Sequence, residues 1–335
     1  MEICYLLAFP DPVEKSLEPT EPIRGLKDAP YFQPVDVHLK TLEQTKVQVG
    51  DVPVSLIRQR YDERVQIVEC RFRLENVLSL AAIQQREAIE RKLQEMLLPE
   101  AHRQSGMFEE YIILLLTEAP PTPDQFVDDH AVELARFIRS QREAFDQRDV
   151  ADILSSRVRY SASELTVVDW EGAVVIAPEG DFQSDIELLK IGNYQLLRYR
   201  LLDSSVEASL RNIREQFGAQ PRPLRPSPTR AQIRRIVQHR LELMLDFEHS
   251  EQNLLLIGDW YTSQLYHAIR EEFYLEEWKQ AVKDKLDNLE NIISTIQENF
   301  SLSWRGLMEQ IELIGWIILL IGYFVLFFMD AGLVK

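Results

Sequence analysis

The stretch VPVSLIRQRYDERVQIVECRFRLENV, residues 52–77, decides what kind of domain opens this chain. Within it Val68, Cys70, Phe72 and Leu74 alternate with Glu69, Arg71 and Arg73, the period of two expected of a strand with one buried face. Tyr61, Asp62 and Glu63 read as the turn of a hairpin that joins this strand to the one before it. Upstream, EICYLLAF gives a first strand, and the polar, proline-bearing stretch 11–34 reads as a long excursion. Downstream, Asn76 stands as an N-cap, and Leu80, Ile83, Leu93 and Leu97 fall near helical spacing across 77–98. Pro99 ends that helix. YIILLLTEAPPTP follows as a continuous apolar run of strand length, the pattern of a central strand.

A second helix is expected over about 124–145, opened by Pro123 and Asp124 and carrying Phe126, Val132, Leu134, Phe137 and Ile138. ELTVVDWEGAVVIAPEGD then places two apolar runs around Asp169-Trp170-Glu171-Gly172, a hairpin signal because glycine tolerates a positive φ. Asp169 and Trp170 at such a tip read either as exposed contacts for a partner or as plain turn chemistry. From 182 to 217 the pattern is helical, with Gly192-Asn193 as a weak point. AQPRPLRPSPT, with four prolines between Pro221 and Pro228, can continue neither a helix nor a central strand and marks the best domain boundary.

Beyond it nearly everything is helical. Ile233, Ile236, Val237, Leu241 and Met244 share one helical face, and Leu254, Ile257, Tyr261, Leu265 and Ile269 continue the theme. Val282, Leu286, Leu289, Ile293, Ile296, Phe300 and Leu307 keep the alternating four-and-three spacing of a coiled-coil seam, broken only by a polar Ser303. That seam, Leu286, Leu289, Ile293, Ile296 and Phe300, serves either self-association between chains or packing within the chain against the helix from Leu254 to Phe273. From Leu313 to Met329 about 17 positions carry no charge, roughly 26 Å of helix against a ~30 Å hydrocarbon core. Composition argues for insertion in a membrane, with Leu313, Gly315, Trp316, Gly322, Tyr323 and Met329 in the span. Gly315 and Gly322, seven apart, lie on nearly one face and would admit a close helix. So near the end of the chain, the span reads as a tail anchor that keeps the body on the cytosolic side.

The formal charge of -17 over 335 residues argues against a nucleic-acid partner, which calls for a cationic face. With 45% hydrophobic and 27% charged residues the composition is globular. Cys4 and Cys70 stand in no metal-ligand spacing, so neither a disulfide framework nor a zinc site is expected. One exception to the acidic balance is RPLRPSPTRAQIRRIVQHR, which gathers Arg222, Arg225, Arg230, Arg234, Arg235 and Arg240. These arginines either meet an acidic protein or anionic lipid headgroups, or pair with the surplus carboxylates of the same chain.

There is no phosphate-cradling glycine loop, no zinc-helix motif and no nucleophile elbow, so the chain reads as non-catalytic and without a cofactor. Asp128-Asp129-His130 is the one dense acid–histidine group, and neighbours on a helix point in different directions, as on a solvated face. His239 and His249 lie ten apart and share no helical face closely.

LDNLENIISTIQENFSLSWRGLMEQIELIGWIILLIGYFVLFF, residues 286–328, resembles the end of the required-for-meiotic-nuclear-division family (the DUF155 proteins). ELTVVDWEGAVVIAP is similar to that family's strand pair. The resemblance implies a membrane-associated, oligomerising protein without an established catalytic activity. The chain also resembles the CorA-type magnesium channels in setting an acidic α/β body before long helices. Those channels need two spans joined by a Gly-Met-Asn loop, whereas this sequence offers one span and GLMEQ at Gly306.

The expected fold is therefore a mixed α/β (α+β) cytosolic domain (1–218), a proline-rich linker (219–229), a helical hairpin and coiled-coil stalk (230–312), and one C-terminal transmembrane helix (313–329). The expected work is membrane-anchored scaffolding or tethering as a homo-oligomer on a lipid bilayer, with a CorA-like oligomeric channel as the alternative.

Overall fold

EICYLLAFP becomes β1 (Glu2–Pro10), a strand buried on both faces, as its unbroken apolar run demands. The structure is a computed structural model that describes residues 1–11, 39–62, 64–117, 122–143, 145–217, 230–252 and 260–330. Around β1 lie β2 (Leu39–Val49), β3 (Val52–Tyr61), β4 (Val65–Phe72), β5 (Glu109–Leu116), β6 (Arg157–Val158), β7 (Leu165–Val168) and β8 (Gly172–Ile176). Among the described residues these form one mixed sheet in the order β2-β3-β4-β1-β5-β8-β7-β6. β5 and β8 run parallel, and every other pairing is antiparallel.

The hairpin expected at Tyr61-Asp62-Glu63 joins β3 to β4, with Asp62 at φ 47 in the turn. β4 departs from the one-faced reading, because Glu69 is as buried as Val68 and Cys70. β2 falls outside the strand signals of the sequence: LKTLEQTKVQV is largely polar, as suits an edge strand whose outer face meets water.

The first helix, α1 (Leu80–Leu97), is capped three residues after the expected cap, Asn76. Ser79 is the N-cap, its Oγ accepting from the Ala82 amide at 3.2 Å, while Asn76 sits at φ 46 in the preceding turn. Pro99 then opens the short α2 (Glu100–Ser105). The single helix expected over 124–145 is two pieces, α3 (Pro123–Asp129) and α4 (Ala131–Arg139), and a further short helix, α5 (Gln147–Ile153), follows it. His130 leaves helical geometry at φ -115, and Ser140 ends α4 in the left-handed region.

α6 (Gln183–Phe217) runs unbroken through Gly192, and α7 (Arg230–Gln252), α8 (Trp260–Glu272) and α9 (Leu275–Asp330) follow. A methyl group at Gly192 would lie 2.4 Å from Ile269 Cγ2 and 3.1 Å from the Phe273 ring. The expected weak point is thus where α8 comes close to α6, and the packing gained offsets the roughly 1 kcal/mol that glycine costs a helix.

The chain divides into two compact units, Met1–Ser204 with Asp246–Val282, and Ser205–Leu245 with Lys283–Lys335. In the first unit α1, α3, α4 and α5 pack one face of the sheet through Ile3, Leu7, Leu93, Leu114, Phe137 and Val174. The first part of α6 and α8 cover the other face. There Thr166 Oγ1 donates to Asp185 Oδ1 at 2.6 Å, and Tyr261 Oη donates to the same oxygen at 2.5 Å. The second unit gathers the end of α6, α7 and the greater part of α9. Lys285 reaches Glu207 at 2.7 Å and Arg240 reaches Glu290 at 2.5 Å.

Among the described residues no helix is long and apolar enough to cross a membrane. That corrects the expected fold class in its last element, and with it the single-pass tail anchor and the placement of a cytosolic body against a membrane. The uncharged run is the end of the 56-residue α9, and at 1.5 Å per residue it falls short of the ~30 Å hydrocarbon core. Leu313, Trp316 and Tyr323, assigned to the span, are exposed on this helix. A methyl group at Gly315 or Gly322 would meet nothing within 4 Å, so neither glycine marks a close approach within the chain. The side chain of Met329 and the linker 219–229 lie outside the described residues.

Candidate functional site

Two places in the first unit concentrate charge, one on the α6 face of the sheet and one at its rim. On the α6 face Lys190, Glu187, Glu69 and Gln59 are all buried. Lys190 Nζ lies 2.5 Å from Glu69 Oε2 and donates to Glu187 Oε1 and Gln59 Oε1, each at 2.9 Å. Its three N–H donors are thereby used. Glu69 also accepts from Arg71 Nε at 2.5 Å, and Glu187 accepts from Gln183 Nε2 at 2.8 Å and from Tyr61 Oη at 3.3 Å.

Two carboxylates and two cations balance here. Burial pushes the Glu69 carboxyl up, but Lys190 and Arg71 outweigh it and hold it below the usual carboxylate range. Burial likewise pulls the Lys190 ammonium down, and Glu187 and Glu69 more than restore it. A saturated, neutral network of this kind fixes α6 on β3 and β4 and has nothing left to offer a ligand.

The second place is a cleft of ≈480 Å³ at the N-terminal ends of the parallel strands β5 and β8. Glu109 and Glu110 begin β5, Glu171 precedes β8, and Glu90 comes from α1. The local fold explains their convergence. Gly172 stands opposite Ile112, where a Cβ would lie 2.6 Å from Ile112 Cγ2 and 2.7 Å from its carbonyl oxygen, so only glycine lets β8 begin there. The hairpin tip is tied inward: Arg139 reaches Asp169 Oδ1 at 2.8 Å and Glu171 Oε1 at 3.5 Å, and Tyr111 Oη donates to the Asp169 carbonyl at 2.9 Å. Asp169 is therefore buried, which removes it as an exposed contact.

Each carboxylate has a neighbour. Arg86 lies 3.0 Å from Glu90, Arg200 pairs with Glu109, and Tyr5 Oη donates to Glu110 at 2.8 Å. Burial pushes Glu90 up to about 7, against Arg86, with Glu110 and Glu87 adding to the rise. Burial also pushes Glu109 up to about 7, against Arg200. Among the described residues no three acidic, histidine or cysteine side chains come together as a metal site.

The sequence signals for this cleft were weak. Glu109-Glu110 reads as a strand boundary and Glu90 as a solvated helix position, and the convergence is a product of topology. Asp128, from the acid–histidine group, pairs with Arg157 at 2.8 Å, while His130 packs edge-on to Phe126 at 4.5 Å. His239 lies 3.5 Å from Glu242, and the side chain of His249 is outside the described residues.

The seam divides. Leu286, Leu289 and Ile293 are buried within the second unit and Ile296 is half-buried; the side chain of Phe300 lies outside the described residues. Leu289 borders a small cavity shared with Ile213 of α6 and Ile236 of α7, which are its partners in this unit. Of the arginine patch, Arg234 and Arg235 are exposed on α7 and Arg240 pairs with Glu290. Arg222 and Arg225, and the side chain of Arg230, lie outside the described residues.

Residues 14–183, which hold the cleft except for Tyr5, its α6 residues and Phe273, match the family described as Uncharacterized protein MJ0711, N-terminal domain. The uncharacterized protein MJ0711 of Methanocaldococcus jannaschii is 22% identical over 187 residues, covering 56% of this chain and 57% of that protein's length. No solved structure matches. The resemblance to the required-for-meiotic-nuclear-division family is overturned, because the family match lies in the N-terminal half and not over 286–328. That resemblance rested on apolar and heptad spacing, which unrelated long helices share.

Proposed function

This chain belongs to the family of the MJ0711 N-terminal domain, and we propose that it works as a non-catalytic assembly scaffold that self-associates through the far end of α9. The observation that carries the reading is the exposure of residues 311–327, where large apolar side chains stand out on every face of the helix. Trp316 and Tyr323 are each 69% exposed and Leu319 and Leu326 each 68%. Apolar surface on this scale drives association in water.

A second copy of the chain is the occupant favoured by the spacing. The four-and-three alternation of Val282, Leu286, Leu289, Ile293 and Ile296, carried onward along α9, falls on Ile314, Ile317, Ile321 and Phe324. The early part of the seam is covered by the chain's own helices, while these four later positions are exposed. An identical stripe on another copy is self-complementary, as a symmetric closed assembly requires.

The test is the mass of the full chain by light scattering in detergent-free buffer. The expected result is an integral multiple of 39.1 kDa that falls to the single-chain mass in an Ile317→Glu/Ile321→Glu variant. A full chain that is monomeric, or that stays in solution only inside detergent micelles, would overturn the reading.

A further inference from the structure

We propose that Gln66, Arg60 and Arg58 bind a small oxyanion of the phosphate class where the β3–β4 hairpin closes, on the face of the sheet that α1 packs. Arg60 lies directly opposite Gln66 across the β3–β4 pair, and Arg58 lies opposite Val68, two residues along. Directly opposite residues of an antiparallel pair share a face, so these three side chains leave the sheet on the side of the core residues Leu56, Val68 and Cys70. Gln66 is only 6% exposed, and among the described residues its Nε2 has no hydrogen-bond partner. The register supplies the reason. Its cross-strand neighbours are Phe9 on β1, which offers no side-chain acceptor, and Arg60 on β3, whose side chain offers only donors.

The arginines add donors of the same kind. Arg58 Nε and Arg60 Nε are buried and likewise have no hydrogen-bond partner among the described residues. Arg60 gives a terminal nitrogen to Asp11, and Arg58 Nε stands 3.6 Å from Glu43 Oε2, an ion pair too long for a hydrogen bond. What stays open is therefore two guanidinium N–H groups and the two N–H groups of one amide, all of them donors. A metal ion or an ammonium group finds nothing to bind to in such a set. A ligand that uses all of it brings several acceptor oxygens and negative charge, as phosphate does, and guanidinium groups favour such ions. The Arg58 and Arg60 side chains are 31% and 20% exposed, which sets the site at the rim of this face and not inside the core.

Isothermal titration of the full chain with sodium phosphate, in a chloride buffer of constant ionic strength, tests this. Saturable binding is expected. Arg60→Lys keeps the charge but loses the Nε–H, and it should weaken binding about fivefold or more. Gln66→Leu should weaken binding to the same degree and, in phosphate-free buffer, raise the urea midpoint, because an apolar side chain of similar size replaces an open buried donor. Arg73, 79% exposed beside Glu2, is the control, and Arg73→Lys should change neither. Absence of saturable binding overturns the proposal. So does an equal loss in Arg73→Lys, which describes ions screening the surface, or a lowered midpoint in Gln66→Leu, which describes an amide already partnered in the free chain. The site lies in the first unit and is read by its own isotherm, so it fails separately from the self-association of α9.

Discussion

Lys190 Nζ lies 2.5 Å from Glu69 Oε2, and both side chains are only 1% exposed. Removing one member leaves the others charged and dry. Lys190→Met should therefore cost about 3–5 kcal/mol, because Glu69 and Glu187 lose the ammonium that compensates their burial. Chemical denaturation would show it as a lowered midpoint, and a Lys190→Met/Glu69→Gln/Glu187→Gln variant should recover a good part of the loss. A single variant as stable as the parent would mean that the network is solvated.

Gly172→Ala should destabilise the first unit by about 1–3 kcal/mol. The new methyl would press on the Ile112 carbonyl at 2.7 Å, and that oxygen belongs to the paired strand and cannot rotate away as a side chain would. Gly106→Ala makes the comparison: its φ of 65 strains a side chain, yet nothing lies within 4 Å, so the expected loss is about 1 kcal/mol. Thermal melts of the two variants should rank them in that order.

The pH dependence of stability follows from Glu90 and Glu109, which burial pushes up to about 7 from an ordinary 4.5. Between those values the folded chain holds protons that the unfolded chain has released. Their contribution to stability is greatest in acid and declines as pH rises through about 7. Glu69, held low by Lys190, has the opposite sign, and its contribution is lost only as pH falls below the ordinary carboxylate range. Urea midpoints measured from about pH 5 to about pH 8 should fall less steeply for Glu109→Gln than for the parent. Parallel curves would show that Glu109 titrates normally.

What the sequence disclosed depended on how local each signal was. The β7–β8 hairpin, the β3–β4 turn and the span of α6 each follow from a few neighbouring residues, and all three are present. The alternation in β4 gave the strand but misplaced Glu69, which reads as solvent-facing until α6 is laid over that face. Only Lys190 and Glu187, set among the apolar Ile186, Leu188, Leu189 and Ile191 of α6, hinted at a buried partner. The cleft was illegible for the same reason: Glu90, Glu109, Glu171 and Asn193 come from four elements, and the sheet order alone unites them. At the C-terminus, apolar composition suggested a membrane span, whereas the described helices include none long and apolar enough to cross.

The most direct test of the account is position-resolved cross-linking along α9. Cys4 and Cys70 are buried, so a thiol-reactive bifunctional reagent would report an introduced cysteine. Single substitutions Ile314→Cys, Ile317→Cys, Ile321→Cys and Phe324→Cys should give a covalent dimer in detergent-free buffer, while Leu319→Cys and Leu326→Cys should give far less. Equal cross-linking at all six positions, or none at any, would contradict a seam between copies of this chain.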